Sequence, residues 1–176
     1  MRKSMFFIFD GMRNKMKKMR RKRQALSNEE CIEILNRGTS GVLSLCGNAK
    51  EPYGVPLSYV YDDQKIYFHC AKSGYKLDLI EENEKASFCV IDQDNIVPEE
   101  YTTYFCSVIV SGNMRVIKDD DKKRYVIETL ASKYSPAESR QSHQEQIEKF
   151  WKTLCILELD IKEITGKQAI ELVKES

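Results

Sequence analysis

The sequence predicts a mainly β fold with flanking helices, of the α+β kind, in which short antiparallel strands form a small β-barrel. Three observations carry that expectation. Runs rich in aromatic and β-branched residues recur at about 40–46, 53–61, 65–70, 86–92, 104–117 and 153–162. Turn residues such as Gly47-Asn48 and Asp62-Asp63 separate the early runs closely enough for hairpins. Helical patterns sit at the margins of these runs and interrupt them once, so a parallel sheet with regular crossovers is not expected.

The elements follow in order. Residues 1–23 hold ten Lys/Arg and one acid, Asp10, and read as a basic N-terminal extension; residues 24–176 read as one domain. Ser27-Asn-Glu-Glu30 is a capping box that opens a helix, Cys31-Ile-Glu-Ile-Leu35 supplies its apolar face, and Gly38 ends it. Strands at 40–46, 53–61 and 65–70 come next, then a helix over 73–83 that Ser73 is placed to cap. After the strands at 86–92 and 104–117, Asp119-Asp-Asp121 caps a helix of about 120–133, with Tyr125, Val126, Thr129 and Leu130 on one face. Ser135-Pro136 starts another helix that runs to about Lys149, and the strand at 153–162 follows. The runs at 53–61 and 65–70 alternate poorly, which suggests that one face lines a site or an interface.

Composition narrows the function. The chain has 28 basic and 27 acidic residues; removing the ten and one of residues 1–23 leaves 18 against 26, a net charge of −8. An acidic body argues against nucleic acid as a partner. Six cysteines are scattered without a Cys-x-x-Cys, and there are two histidines, so no metal site is expected. Free thiols point to a reducing, cytoplasmic setting. No apolar run approaches the roughly 20 residues needed to cross a membrane. No Gly-x-Gly-x-x-Gly or Gly-Lys-Ser/Thr loop is present.

The segment Lys65-Ile-Tyr-Phe-His-Cys-Ala-Lys-Ser-Gly-Tyr-Lys76 concentrates the chemistry. A strand entering a helix N-terminus aims backbone N–H groups and the positive end of a dipole at one spot, and Lys72 and Lys76 flank it. That spot suits a phosphate. His69 and Cys70 lie just upstream, where a ring attached to the phosphate could rest. Lys76 in a first helical turn opposes the dipole unless an anion compensates. His69 titrates near neutrality when unperturbed and can exchange a proton with a reduced intermediate.

With Pro52-Tyr-Gly-Val-Pro-Leu-Ser-Tyr-Val-Tyr61, Ser107-Val-Ile-Val-Ser-Gly112 and Leu157-Glu-Leu-Asp-Ile-Lys-Glu-Ile-Thr-Gly-Lys167, that segment resembles the FMN-binding split-barrel superfamily, which includes pyridoxamine 5′-phosphate oxidase. Within it the chain is most similar to the nitroimidazole-resistance branch, over roughly Met19 to Lys167. The resemblance implies a homodimeric split barrel with FMN between the subunits and two-electron redox chemistry on a small-molecule substrate, as in reduction of nitroimidazoles. It implies that Lys76, with Lys72, Tyr75 and the backbone between them, holds the phosphate. It implies that Val55, Pro56, Leu57, Ser58, His69, Cys70, Ala71, Tyr104 and Ser107 surround the ring, with His69 as the catalytic candidate. Thr165 and Lys167 would reach the partner's site. Trp151, the single tryptophan, reads as a core or dimer-contact aromatic and joins the residues placed near the cofactor. Tyr75 stands where the oxidases usually have Arg, Gly54 and Tyr59 stand where they carry basic residues, and no C-terminal Arg-x-His clamp is present. Pyridoxamine phosphate oxidase activity itself is therefore not expected. The alternative is a flavin- or haem-binding sensing module without turnover, with His69 or His143 available to a haem iron.

Overall fold

The computed structural model describes residues 19–173; residues 1–18 of the basic extension lie outside the described part. Seven strands form one antiparallel sheet: β1 (Ser40–Cys46), β2 (Pro52–Ser58), β3 (Val60–Asp62), β4 (Lys65–Ala71), β5 (Lys85–Val97), β6 (Thr102–Val116) and β7 (Leu154–Gln168). Their order is β2-β1-β5-β6-β7-β4-β3. Among the described residues four α-helices flank them: α1 (Asn28–Arg37), α2 (Tyr75–Glu82), α3 (Asp120–Tyr134) and α4 (Arg140–Phe150).

The barrel follows from that order and one residue. β2 and β3 are the two outer strands of the sheet, yet only Tyr59 separates them in sequence. Two residues of chain span at most about 7 Å, so the sheet must curl until its edges meet. The expected strand at 53–61 is thus two strands that change neighbours at Tyr59. Pro56, opposite Val42, stands on a sheet edge, where a missing N–H costs no ladder bond.

Tyr59 is fully buried and every polar group on it is met. Its hydroxyl donates to the Leu35 carbonyl (2.9 Å), and its N–H donates to the Tyr134 hydroxyl (2.8 Å). The Tyr134 hydroxyl lies 2.7 Å from the Tyr59 carbonyl and also reaches the Thr39 carbonyl, one of which takes its proton. Lys133 donates to the Gly38 carbonyl (2.6 Å) with its ammonium 4.5 Å from the Tyr59 ring centre.

Two cores form on the two faces of the sheet. Leu43, Phe68, Phe88, Val108, Val110, Leu157 and Leu159 fill the barrel, and α1 closes over it with Cys31, Ile34 and Leu35. Phe88 stacks edge-on against both Tyr59 and Phe68, with ring centres 5.0 Å apart in each case. On the outer face Val60, Tyr67, Leu154 and Ile156 pack against Val126 and Leu130 of α3. β4 and β7 are therefore covered on both faces at their paired ends, which is why their residues do not alternate simply. Glu158 is buried on the outer face between Arg115 and Lys122, each 2.5 Å away.

Several boundaries follow from local chemistry. The capping box is present: Ser27 N–H donates to the Glu30 carboxylate (2.7 Å), and Glu30 N–H donates to Ser27 Oγ (3.1 Å). Gly166 is where α1 meets β7, since a Cβ there would run into Cys31 Sγ and Leu26. Asp119 caps α3 through Lys122 N–H (2.8 Å). Tyr125 does not join the buried face of α3 as expected; it points outward and donates to Asp62 (2.9 Å). The helix expected from Ser135 begins at Arg140 instead, capped by Ser139, whose Oγ accepts from Ser142 N–H (3.1 Å). The turn expected at Asp62-Asp63 falls on Asp63 and Gln64, with φ of 43° and 60°.

The clamp at Tyr59 generates a stability prediction. Tyr134→Phe leaves a buried N–H without its acceptor and should cost about 1–3 kcal/mol. Tyr125→Phe, which removes a hydroxyl bond at the surface, should cost less than about 0.5 kcal/mol. Urea denaturation checks both, and equal effects would remove Tyr134 from this role.

Candidate functional site

The outer face of β4 carries Tyr67, His69 and Ala71, because Ile66 and Phe68 point into the barrel. Tyr67 is covered by α3, but the face opens toward the strand's end, where His69 and Ala71 are exposed. Across from them stand α3 and α4. The space between is a cavity of about 900 Å³, whose apolar wall includes Ile127, Leu130, Ala131, Ile147 and Phe150. Ser58, His69, Cys70 and Ala71 form the opposite side, and Tyr134, Glu138 and His143 add polar groups. His143 is itself held, with Nε2 3.0 Å from the Ser135 carbonyl. Barrel closure at Tyr59 is what brings Ser58, the last residue of β2, beside β4.

From Ala71 the chain runs directly into the Lys72–Gly74 loop and then α2. The helix does not begin at Ser73, as its hydroxyl suggested. Gly74 is the cap, with φ of 137° and no side-chain cap bond. A non-glycine residue is strained at that φ. The first intrahelical bond runs from Leu77 N–H to the Gly74 carbonyl (2.8 Å), so the N–H groups of Tyr75 and Lys76 precede it and point away from the helix. Lys72 and Lys76 have no ion-pair partner among the described residues. Two unpaired ammonium groups beside the positive end of a helix form a local excess of positive potential, which an anion would relieve. Lys72 and Ser73 line a separate groove of about 1040 Å³ between α2 and the end of β6, not the 900 Å³ cavity. Tyr75 packs edge-on against Tyr53, ring centres 5.1 Å apart.

The remaining expected residues fall in three places. Val55 and Leu57 pack toward the barrel core, while Pro56 and Ser58 face out, so β2 offers a ligand its backbone and two side chains. Trp151 is half-buried against the outer core, with Lys123 (4.0 Å) and Arg124 (4.4 Å) over its ring, next to the cavity-lining Phe150. Tyr104, Ser107, Thr165 and Lys167 gather on β6 and β7: Ser107 pairs with Lys167, and Thr165 donates to the Ile109 carbonyl (3.3 Å). Tyr104 donates to Glu100 (2.8 Å), which raises its pKa. Thr165 lies eleven positions along β7 from Leu154, a strand path of roughly 35 Å. These four residues are thus at the far end of β7 from His69.

Electrostatics around the cavity follow burial. Burial raises the Cys70 thiol to about 12, against the lowering effect of Lys76. Burial raises Tyr134 and lowers Lys133, whose ammonium is packed between tyrosines. Sequence reasoning did not find the helical wall of the cavity or Tyr134. The amphipathic spacing of Ile127, Leu130 and Ala131 marks an apolar face, but it does not say what that face opposes. Among the described residues no cluster of three or more metal-ligating side chains occurs, and no helix is long and apolar enough to cross a membrane.

Residues 27–168 match the model of a family described as pyridoxamine 5′-phosphate oxidase. No curated protein matches the chain. Among solved structures, a candidate 5-nitroimidazole antibiotic resistance protein of Bacteroides thetaiotaomicron superimposes with a TM-score of 0.70 at 16% identity, covering 82% of this chain and 86% of that one. A FAD-binding protein of Mesorhizobium loti gives 0.60 at 21% identity, covering 83% and 97%. A FAD- and haem-binding protein of Mycobacterium smegmatis gives 0.67 at 17% identity, covering 88% and 77%. At these identities the structures establish the split-barrel fold.

Gly74 tests how the loop is built. A Cβ there meets no atom within 4 Å, so Gly74→Ala creates no clash and isolates backbone strain. It should cost about 1–3 kcal/mol in urea denaturation. An unchanged midpoint would show that the left-handed geometry is not required.

Proposed function

We propose that this chain, which belongs to the pyridoxamine 5′-phosphate oxidase family over residues 27–168, is a flavoprotein that binds FMN and acts as an oxidoreductase on small molecules, in the manner of nitroimidazole reductases. One observation carries the reading: β4, whose end walls an apolar cavity, continues along the chain directly into a loop at a helix N-terminus with two lysines that have no ion-pair partner among the described residues. That combination fits a planar aromatic ring joined to a phosphate. The cavity volume lies within the range of roughly 300–1,000 Å³ usual for small-ligand sites. The Bacteroides protein carries its nitroimidazole designation on the same fold, which supports the substrate class by analogy.

A bound flavin would supply the two-electron chemistry. The chain would supply the rest. Lys76 and Lys72, with the N–H groups of Tyr75 and Lys76, hold the phosphate dianion. Pro56 and Ser58 of β2 would border a bound ring, and Ile127, Leu130 and Ile147 would exclude water from the cavity. His69, exposed on the cavity wall, delivers a proton to the substrate.

The site is shared between two copies of the chain. Tyr104, Ser107, Thr165 and Lys167 cannot reach the His69 cavity of their own chain, and a two-fold partner would present them to it. The β5–β6 hairpin beside them exposes Ile96 (74%) and Tyr101 (98%), an apolar surface that a partner would cover.

A second reading, haem, rests on the presence of both histidines, His69 and His143, on the cavity wall. The Mycobacterium protein binds FAD and haem on the same fold. The absorbance spectrum distinguishes the two. After reconstitution with excess FMN and desalting, the wild type should retain flavin bands, and Lys76→Ala should weaken affinity at least about tenfold, the size of one lost charge-assisted contact. A Soret band in the purified protein would favour haem. No retained flavin in the wild type would overturn the reading.

A further inference from the structure

Cys70 on β4 and Cys155 on β7 stand directly opposite each other in the antiparallel ladder. Directly opposed residues point to the same face, with Cα atoms about 4.5–5.5 Å apart. A disulfide needs a Cα separation of roughly 4.4–6.8 Å. Closing the bond therefore needs side-chain rotation alone, because the strands already hold the spacing. Both thiols are free, and their side chains interact with each other. The pairing is specific. Cys46 lies opposite Pro52, Cys89 opposite Val42 and Ile109, and Cys106 opposite Gln93 and Gln168, so no other strand cysteine has a cysteine as its ladder partner.

Cys70 is half-buried and Cys155 is buried, both side chains packing on the barrel core, while the two residues border the 900 Å³ cavity and the 1040 Å³ groove respectively. Burial holds Cys70 mainly as the thiol, with Lys76 in the first turn of α2 opposing it only in part, so the exchange should be slow and should quicken as pH rises.

We propose that Cys70 and Cys155 are a site of reversible oxidative modification, a dithiol–disulfide couple in the cavity wall that reacts with low-molecular-weight disulfides. The Cys70 thiolate attacks one sulfur of the small disulfide, forms a mixed disulfide and releases one thiolate. Cys155, deprotonated, attacks the Cys70 sulfur and releases the second. The protein loses two protons and two electrons, and the small disulfide becomes two thiols. The product ties β4 to β7 one residue before the strand turns into the Lys72–Gly74 loop.

The test uses the full chain, reduced and then incubated with oxidised glutathione, with remaining thiols alkylated under denaturing conditions before peptide mapping. The expected product has one crosslink, joining the Cys70 and Cys155 peptides, and four alkylated cysteines of the six. Dithiothreitol should reverse it. The oxidised protein should melt higher, by roughly 5–10 °C, because the bond closes a long loop in the unfolded chain. Cys70→Ser and Cys155→Ser should each abolish the crosslink. Six alkylated cysteines in the treated wild type, or a crosslink between other cysteines, would overturn the proposal. The map is read on the wild type, so it does not depend on the variants folding, and no flavin takes part, so its outcome is independent of the proposed cofactor.

Discussion

The structure depends on the passage of the chain through Tyr59. A seven-stranded antiparallel sheet has two open edges, and here a single buried residue joins them. That connection makes the sheet a barrel and gives α1 an end to close over. It also places Ser58 beside His69. The passage is held by hydrogen bonds from distant parts of the chain, through the Leu35 carbonyl and the Tyr134 hydroxyl. A buried backbone N–H without an acceptor costs as much as a lost hydrogen bond, so the position of α3 and the closure of the barrel are linked through Tyr134. The same helix forms the apolar wall of the cavity, and the cavity exists because the barrel is closed.

Under the proposed function, the cavity and the loop after it would divide the work of ligand binding between two kinds of physics. The wall formed by Ile127, Leu130 and Ile147 offers dispersion and desolvation and little discrimination among flat apolar rings. The loop offers charge. Lys72 and Lys76 stand beside helix N–H groups that have no internal acceptor, an arrangement that is unfavourable until an anion arrives. Under the proposed function, a ligand with both a ring and a phosphate would engage the two together. The acidic character of the body, net −8 outside residues 1–23, makes this local positive spot a departure from its surroundings.

Much of this was legible because it is local. The capping box at Ser27, the Asp119 cap and the strand–turn–helix at 66–76 are each written within a few residues. The proposal of a site over the contiguous stretch from His69 to Lys76 rests on the same local reading. What sequence did not reveal is non-local. Nothing around Tyr59 marks a change of strand partners, because the residues that stabilise it lie 24 and 75 positions away. The expected strand at 104–117 matches β6 closely, whereas the true lengths of β5 and β7 were missed because their far ends carry polar residues that imitate turns. Ser73 has the chemistry of a cap but yields to Gly74, where backbone conformation decides. The placement of Thr165 and Lys167 at the far end of β7 follows from strand length, a quantity the sequence pattern underestimated.

The central claim is that the seam between β2 and β4, opened by closure at Tyr59, is where a flavin sits. A crystal structure of the protein grown with FMN tests it directly. The account predicts the phosphate within hydrogen-bonding distance of Lys76 and the first amides of α2, and the ring against Ser58 and His69, with residues from the partner's β6 and β7 completing the site. Flavin density elsewhere, or a phosphate making no contact with α2, would contradict it.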